Sequence, residues 1–235
     1  EGGYPLPLTG KVLTKTPVVL KEGDTKAKQY PEIYYPGEEE LAENEMRIVC
    51  IGSGNPQLRI GQAATGWAVE LGNGDKFVFD VGGGTIGNLW SIGSSPAEFD
   101  KVFITHLHLD HSGGIFPMFD AMGWSRNVPL QVWGPSGYKK AQGTEAFVKH
   151  VVQASKWHIE SKRGIGTSNG MAMVAHEIDY SKFSESIPRQ LIYDKNGVKI
   201  YAFPVIHVIY GSVGFRLEWN GLSMAFTGDS EPSTL

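Results

Sequence analysis

Thr105-His106-Leu107-His108-Leu109-Asp110-His111-Ser112-Gly113-Gly114 gathers three imidazoles and a carboxylate between positions 106 and 111. Two side chains at an i, i+2 spacing project to the same side of an extended segment, so His106 and His108 can grip one ion together. The chain then turns, and Asp110 and His111 fall beyond that turn, placed to hold a second ion nearby, as two-metal hydrolytic sites require. The bland alternative is a His-rich surface turn. The apolar run Lys101-Val102-Phe103-Ile104-Thr105 that feeds the cluster counts against it, because ligands mounted on a strand end are held firmly.

Working outward on the N-terminal side, Trp67-Ala68-Val69-Glu70-Leu71 and Lys76-Phe77-Val78-Phe79-Asp80-Val81 read as a hairpin around Gly72-Asn73-Gly74, since Asn-Gly is a strong two-residue turn signal. A short strand, Arg47-Ile48-Val49-Cys50-Ile51, precedes it. The single Cys50 excludes an internal disulfide, and its apolar setting reads as a buried structural thiol. Gly82, Gly84 and Gly87 satisfy G-x-G-x-x-G ahead of an expected helix running towards Gly93. A dinucleotide site would also want an acidic residue about twenty positions on and a central parallel strand before the glycines. Thr105 and His106 stand at that place and the strand belongs to a hairpin, so the nucleotide-cofactor reading is set aside.

On the C-terminal side, Ile115 to Met122 reads as a short helix and Pro129 to Pro135 as a strand closed by Gly-Pro. Between Thr144 and Lys162, Phe147, Val148, Val151, Val152, Ala154 and Trp157 recur at helical spacing, predicting one amphipathic helix on which His150 and His158 are ordinary positions. The loop Gly164 to Gly170 is read either as a divider between two halves or as a rim over the site. Met173 to Ile178 reads as a strand, with His176 structural. Two further hairpins are expected: Leu191 to Tyr193 with Val198 to Phe203 across Asp194-Lys195-Asn196-Gly197, and Val213 to Trp219 with Leu222 to Thr227 across Asn220-Gly221. The first runs out to His207, the second to Thr227-Gly228-Asp229.

His106, His108, Asp110 and His111 form an HxHxDH signature, and the chain from about Met46 to Leu235 resembles the metallo-β-lactamase superfamily, most closely its branch containing ribonuclease Z and the zinc arylsulfatases. The resemblance implies a four-layer αββα sandwich of α/β (α+β) class. It makes His207 the third imidazole of the first metal, because a G-[FY]-R strand, Gly214-Phe215-Arg216, comes after it, and makes Asp229 the carboxylate bridging both ions. Asp80 becomes support for the ligand loop, and Asp110 both ligand and orienter of the attacking water. The family draws a further imidazole for the second metal from downstream of the Asp229 position, so the C-terminal part of the domain is expected to be missing from this chain, leaving one sheet face without helices.

The implied activity is hydrolysis by a metal-bridged hydroxide. Two Zn2+ per chain are the default for an imidazole-rich set, with Mn2+ or Fe as alternatives. A flavodiiron-type oxidase usually has Glu where His108 stands. A net charge of −4 and a pI near 6.0 give no basic footprint, which disfavours nucleic acid and ranks a small ester, sulfate ester, lactone or amide above a ribonuclease Z-like phosphodiester. Position alone points to Asn55, the Asn55 to Gly66 loop, the 164–170 loop and Tyr210 for substrate. A non-catalytic metal-binding scaffold of the same fold is the alternative of another class, but a scaffold need not retain all six ligands.

At 235 residues and 41% hydrophobic content the chain can bury a core. Residues 1–45, with Pro5, Pro7, Pro17, Pro31 and Pro36 and the run Glu38-Glu39-Glu40, read as an extended arm. Its Tyr30, Tyr34 and Tyr35 are expected to pack on the body or to serve a homo-oligomer contact, and residues 46–235 form the domain. No apolar run is long enough to span a membrane, which predicts a soluble protein. A start at Glu1 without Met suggests that something upstream was removed, leaving a cytoplasmic and a periplasmic or secreted location both open.

Overall fold

Large apolar side chains alternate along nearly every strand, and the two faces they define go to two different cores. The computed structural model describes residues 40–57, 59–120 and 125–231. The expected arm, with Tyr30, Tyr34 and Tyr35, lies outside the described residues except for 40–45, which turn into the first strand through the bond from Glu45 N to Ala42 O (3.0 Å).

A six-stranded sheet is built in chain order from β1 (Met46–Gly52), β2 (Gly66–Leu71), β3 (Lys76–Val81), β4 (Lys101–Phe103), β5 (Leu130–Pro135) and β6 (Met173–Ile178). The β1-β2-β3 pairs are antiparallel, whereas β3 to β6 run parallel. The parallel pairs need crossovers, and helices supply them: α1 (Thr85–Ser91), α2 (Leu109–Ser112) with α3 (Ile115–Asp120), and α4 (Thr144–Ala154) with α5 (Lys156–Ser161). A second, antiparallel sheet comes next in the order β10-β9-β8-β7, from β7 (Gln190–Lys195), β8 (Val198–Pro204), β9 (Val213–Trp219) and β10 (Leu222–Phe226). Its two-residue turns are Asn196-Gly197 (φ 52° and 77°) and Asn220-Gly221 (φ 49° and 77°), the left-handed pairs that favour Asn-Gly.

Val78, Val102, Ile104 and Val132 face the helices and join Leu89, Met118, Val148 and Val151 in one core. Their strand neighbours Phe77, Phe79, Phe103 and Trp133 face the second sheet and meet Ile200, Ala202, Phe215 and Leu217 in the other. Phe103 stands at the centre, stacked on Trp133 (centroids 4.6 Å, 8°) and edge-on to Phe215 (5.6 Å). The result is helices, sheet and sheet in successive layers. The outer face of the second sheet carries exposed Lys199 and Arg216, with Arg189 over the Tyr201 ring (4.4 Å), the face expected to lack helices.

Two expectations are corrected here. The helix predicted over 144–162 is two helices, because Ser155 (φ −83°, ψ 1°) leaves helical geometry and shifts the phase of the turns after it. Trp157 is therefore 80% exposed rather than on the buried stripe. Cys50 is exposed, because β1 is an edge strand and its Ile48 and Cys50 side lies open. Of the helix expected over 115–122, residues 115–120 are helical and the rest lie outside the described residues.

Candidate metal centre

The site is assembled where β3 and β4 end and where the chain leaves β8 and β10. β3 ends in a bulge: Gly66 pairs with Val81 and Trp67 with Phe79, so Asp80 has no partner on β2 and adopts φ 55°. Left-handed backbone at a buried Asp costs energy, and the compensation is local. Asp80 Oδ1 accepts from the Thr105 backbone N–H (2.7 Å), and Oδ2 accepts from Thr105 Oγ1 (2.8 Å) and from His111 Nδ1 (2.6 Å). The last bond puts the His111 proton on Nδ1 and turns the Nε2 lone pair towards the other ligands. Burial opposes a charged imidazole at His111, but the Asp80 carboxylate outweighs it and draws its pKa upward.

Thr105 ends the apolar run, and His106 and His108 come directly after it, with 3.0 Å between His106 Nε2 and His108 Nδ1. His106 is 2% exposed. Burial first, and then the neighbouring imidazoles of His111, His108 and His207, push its pKa down to about 3. It is neutral at physiological pH, the form that ligates metal. His207 comes from the loop after β8, whose base is closed by Val205 N to Ser212 O (3.1 Å). Glu231 N to Ile206 O (2.8 Å) ties the segment after β10 to the same loop. The His106 and His207 rings lie 4.7 Å apart, and Asp229 Oδ1 is 3.4 Å from His111 Nε2.

Two overlapping ligand groups result: His106, His108 and His207, and His106, His111 and Asp229, each with its donor atoms within 4.8 Å of one another. Asp110 stands outside both groups, its Oδ2 3.5 Å from His111 Nε2. All six expected residues are thus brought together, with His106 common to both sets and Asp110 at the margin. The donor set fits metal ions. Nε2 of His111 and Nε2 of His207 are buried without a hydrogen-bond partner, a state that costs roughly 1–3 kcal/mol per group and that coordination would relieve.

Sequence reading misses the packing that holds this arrangement. A Cβ on Gly82 would lie 2.0 Å from the Asp110 carbonyl oxygen, which accepts from Thr65 N (3.0 Å), so the glycine run serves close approach of β3 to the ligand turn. Gly228 has φ 59°, and a Cβ there would lie 2.6 Å from Thr105 Oγ1. Thr105 links Gly228 to Asp80, and its position just before the first His is the available signal.

His150, His158 and His176 stand apart as expected, on Gln153 Oε1 (3.3 Å), the Asp120 carbonyl (3.3 Å) and Gln131 Oε1 (2.6 Å). Asn55 is engaged in its own loop, its Oδ1 accepting from Gln57 N (3.2 Å). The 164–170 loop is corrected to the opposite end of the sheet: it leads into β6, its Thr167 Oγ1 donates to the Arg126 carbonyl (3.2 Å), and Arg126 donates to the Gly170 carbonyl (3.4 Å). Parallel strands put the loops before them and the loops after them at opposite edges. Tyr210, by contrast, shares a loop with His207.

Comparison with known proteins decides the family. The family described as anti-Pycsar protein Apyc1 matches residues 46–234. The chain belongs to that family. Within the metallo-β-lactamase fold it is also similar to the ribonuclease Z of Mycobacterium marinum, 27% identical over 195 residues that cover 80% of this chain and 64% of that protein. The ribonuclease Z of Methanothermobacter thermautotrophicus is 45% identical over 93 residues, covering 39% of this chain and 30% of that one. The chain thus spans less than two thirds of the length of these curated relatives. Among solved structures, human tRNase Z, short form, superposes with a TM-score of 0.63 at 22% identity, covering 77% of this chain and 68% of that chain. The metallo-beta-lactamase fold protein YhfI from Bacillus subtilis gives 0.55 at 18%, covering 80% and 64%. These similarities bear out the superfamily and the ribonuclease Z branch expected for this Apyc1-family chain. They also correct the expectation that charge disfavours nucleic acid: relatives named as ribonucleases share this scaffold. Net charge sums the whole surface, whereas phosphate is met locally at a metal centre. Among the described residues no helix is long and apolar enough to cross a membrane.

Proposed function

We propose that this chain carries a metal-dependent hydrolase site that cleaves a phosphodiester bond of a ribonucleotide, in the manner of its ribonuclease Z relatives. The observation that carries this reading is the pair of overlapping ligand groups sharing His106, with partnerless buried Nε2 atoms on His111 and His207. His106, His108 and His207 would hold one ion and His111 and Asp229, with Asp110 beside them, the other, since a neutral imidazole has one lone pair to give and His106 can serve only one ion; zinc is the ion that an imidazole-rich set suits. Bound there, the ions would supply Lewis acidity at the phosphoryl oxygens and a water acidic enough to attack at neutral pH.

The chain's own residues do the rest. Asp80 keeps His111 in the tautomer that presents Nε2, Thr105 fixes Asp80, and Gly82 lets the ligand turn approach β3. Asp110, buried beside His111, is placed to accept a proton from the attacking water. An ester, sulfate ester or lactone would meet the same ligands, but the similarity to ribonuclease Z favours the phosphodiester. The test is a panel of diesters offered to the metal-loaded protein: precursor tRNA, the dinucleotide UpU, a nucleoside cyclic monophosphate and bis(4-nitrophenyl) phosphate. Cleavage of at least one, abolished in His106→Ala, is expected. Hydrolysis of carboxylic or sulfate esters with no diester cleaved would overturn the proposal.

A further inference from the structure

Three tyrosines from three separate loops meet at the edge of the sheet where the metal centre lies. Tyr138 comes after β5, Tyr180 after β6, and Tyr210 lies in the His207 loop. Tyr180 and Tyr210 have ring centroids 4.8 Å apart, and Tyr138 and Tyr210 5.8 Å, both edge-to-face. Edge-to-face packing fixes the planes of the rings yet leaves faces free, and Tyr138 is 77% and Tyr210 46% exposed.

Their mounting is rigid. Ser136 N donates to the Ile178 carbonyl (2.8 Å), and Ser136 Oγ accepts from Tyr180 N (3.0 Å). Gly211, at φ 101°, packs so close that a Cβ would lie 2.4 Å from the Ser136 carbonyl oxygen. The three loops are thereby stitched together through Ser136. Tyr210 is three residues from His207, so it stands within roughly 10 Å of that ligand along the chain. Lys139 and Lys140 come directly after Tyr138 and are exposed.

Resting on the phosphodiesterase reading, we infer that Tyr138 and Tyr210, braced by Tyr180, form a stacking platform for a nucleobase beside the scissile phosphate, with Lys139 and Lys140 facing the next phosphate of a chain. Exposed aromatic faces next to lysines are what single-stranded nucleic acid takes, because every base has a face to stack and every link a phosphate to pair. A purely apolar partner would leave the lysines and three hydroxyls unused.

The experiment compares two diesters with the same leaving group, uridine 5′-(4-nitrophenyl phosphate) and methyl 4-nitrophenyl phosphate, on the metal-loaded protein. The quantity read is the ratio of their kcat/KM values. Tyr210→Ala and Tyr138→Ala are each expected to lower that ratio about tenfold, the usual scale for a base-stacking ring, while Tyr210→Trp retains it. An unchanged ratio in both Ala variants overturns the platform, whether rates fall equally on both substrates or not at all. So does a change of oligomeric state by sedimentation with the ratio intact, which would make the patch a contact between copies. If the parent cleaves neither diester, the phosphodiesterase reading is decided by the panel above. The platform then stands or falls on binding of fluorescein-labelled oligouridylate, expected to weaken about tenfold in Tyr210→Ala and overturned if it does not.

Discussion

Asp229 is the most exposed of the six clustered side chains, and under the two-ion reading proposed above its charge rather than its shape is what the site would need. Two dications held close together repel, and a carboxylate between them offsets that repulsion, whereas Asn keeps the geometry without the charge. Asp229→Asn is expected to keep the fold and to lower metal content from two ions towards one, read by elemental analysis of the reconstituted protein. A metal content and turnover equal to the parent's would show that Asp229 is no ligand. Asp80 acts through His111 instead. In Asp80→Asn the oxygen that accepts from His111 Nδ1 is exchanged for a donor or loses its charge, so metal affinity should fall roughly 10- to 100-fold, as competition with a chromophoric chelator would read. Unaltered affinity would reduce the Asp80 bond to a structural one. Cys50 offers a simpler check on the corrected strand edge: exposed, it should react with a disulfide reagent in the native protein at a rate close to that in denaturant.

Elements are legible where a local pattern is enough. The Asn-Gly turns at 196–197 and 220–221 dictate their hairpins without help from the rest of the chain, and the ligand turn after β4 carries its chemistry within six residues. The readings that fail need knowledge of position in the sheet. Periodicity tells which face of a strand is apolar but not that β1 is an edge, so Cys50 reads as buried. It places Trp157 on a stripe only if the helix is continuous through Ser155. Nor does it say which end of a parallel sheet a loop occupies, so the 164–170 loop reads equally well as a rim of the site. At this scale the β1-β2-β3 hairpin pair makes its own prediction. Glu70 on β2 is 6% exposed and lies between Arg47 Nη1 (2.8 Å) and Lys76 Nζ (2.9 Å). Burial would raise its pKa, but the bonds from Lys76 and Arg47 outweigh burial and hold it below the usual carboxylate value. A depressed folded-state pKa contributes stability that is present above the unfolded value and lost as pH falls through the folded one. Unfolding free energy should therefore drop as pH falls below the ordinary carboxylate value of 4.5. Glu70→Gln should cost about 1–2 kcal/mol at pH 7 and flatten that limb, as urea titrations at several pH values would show. A limb of unchanged steepness would remove Glu70 from the account.

At the scale of the whole molecule, the candidate site is also a place where the two sheets are joined by something other than apolar contact. His106, His108 and His111 are delivered from the end of β4 in the first sheet, His207 and Asp229 from the ends of β8 and β10 in the second. Phe103, two residues before Thr105, packs between the same sheets against Trp133 and Phe215, so core and site share a seam. The bond from Val213 N to the Thr105 carbonyl (3.0 Å) crosses that seam beside the ligands. An ion bound by both sides stabilises only the state in which the sheets are apposed, and an unfolded chain, with its ligands dispersed, binds it far less well. Saturation at 100 times the dissociation constant is then worth roughly 2.7 kcal/mol of folding stability. Chelation should lower Tm by several degrees, reversibly, and zinc should restore it in proportion to the logarithm of free metal. His207→Ala removes the second sheet's contribution while leaving His106 and His108 in place, so it should lose most of the metal-dependent shift and little of the metal-free Tm. A metal-free parent as heat-stable as the loaded one would mean that the seam is held by the Phe103 core alone, and that the ligands are a surface the fold does not depend on.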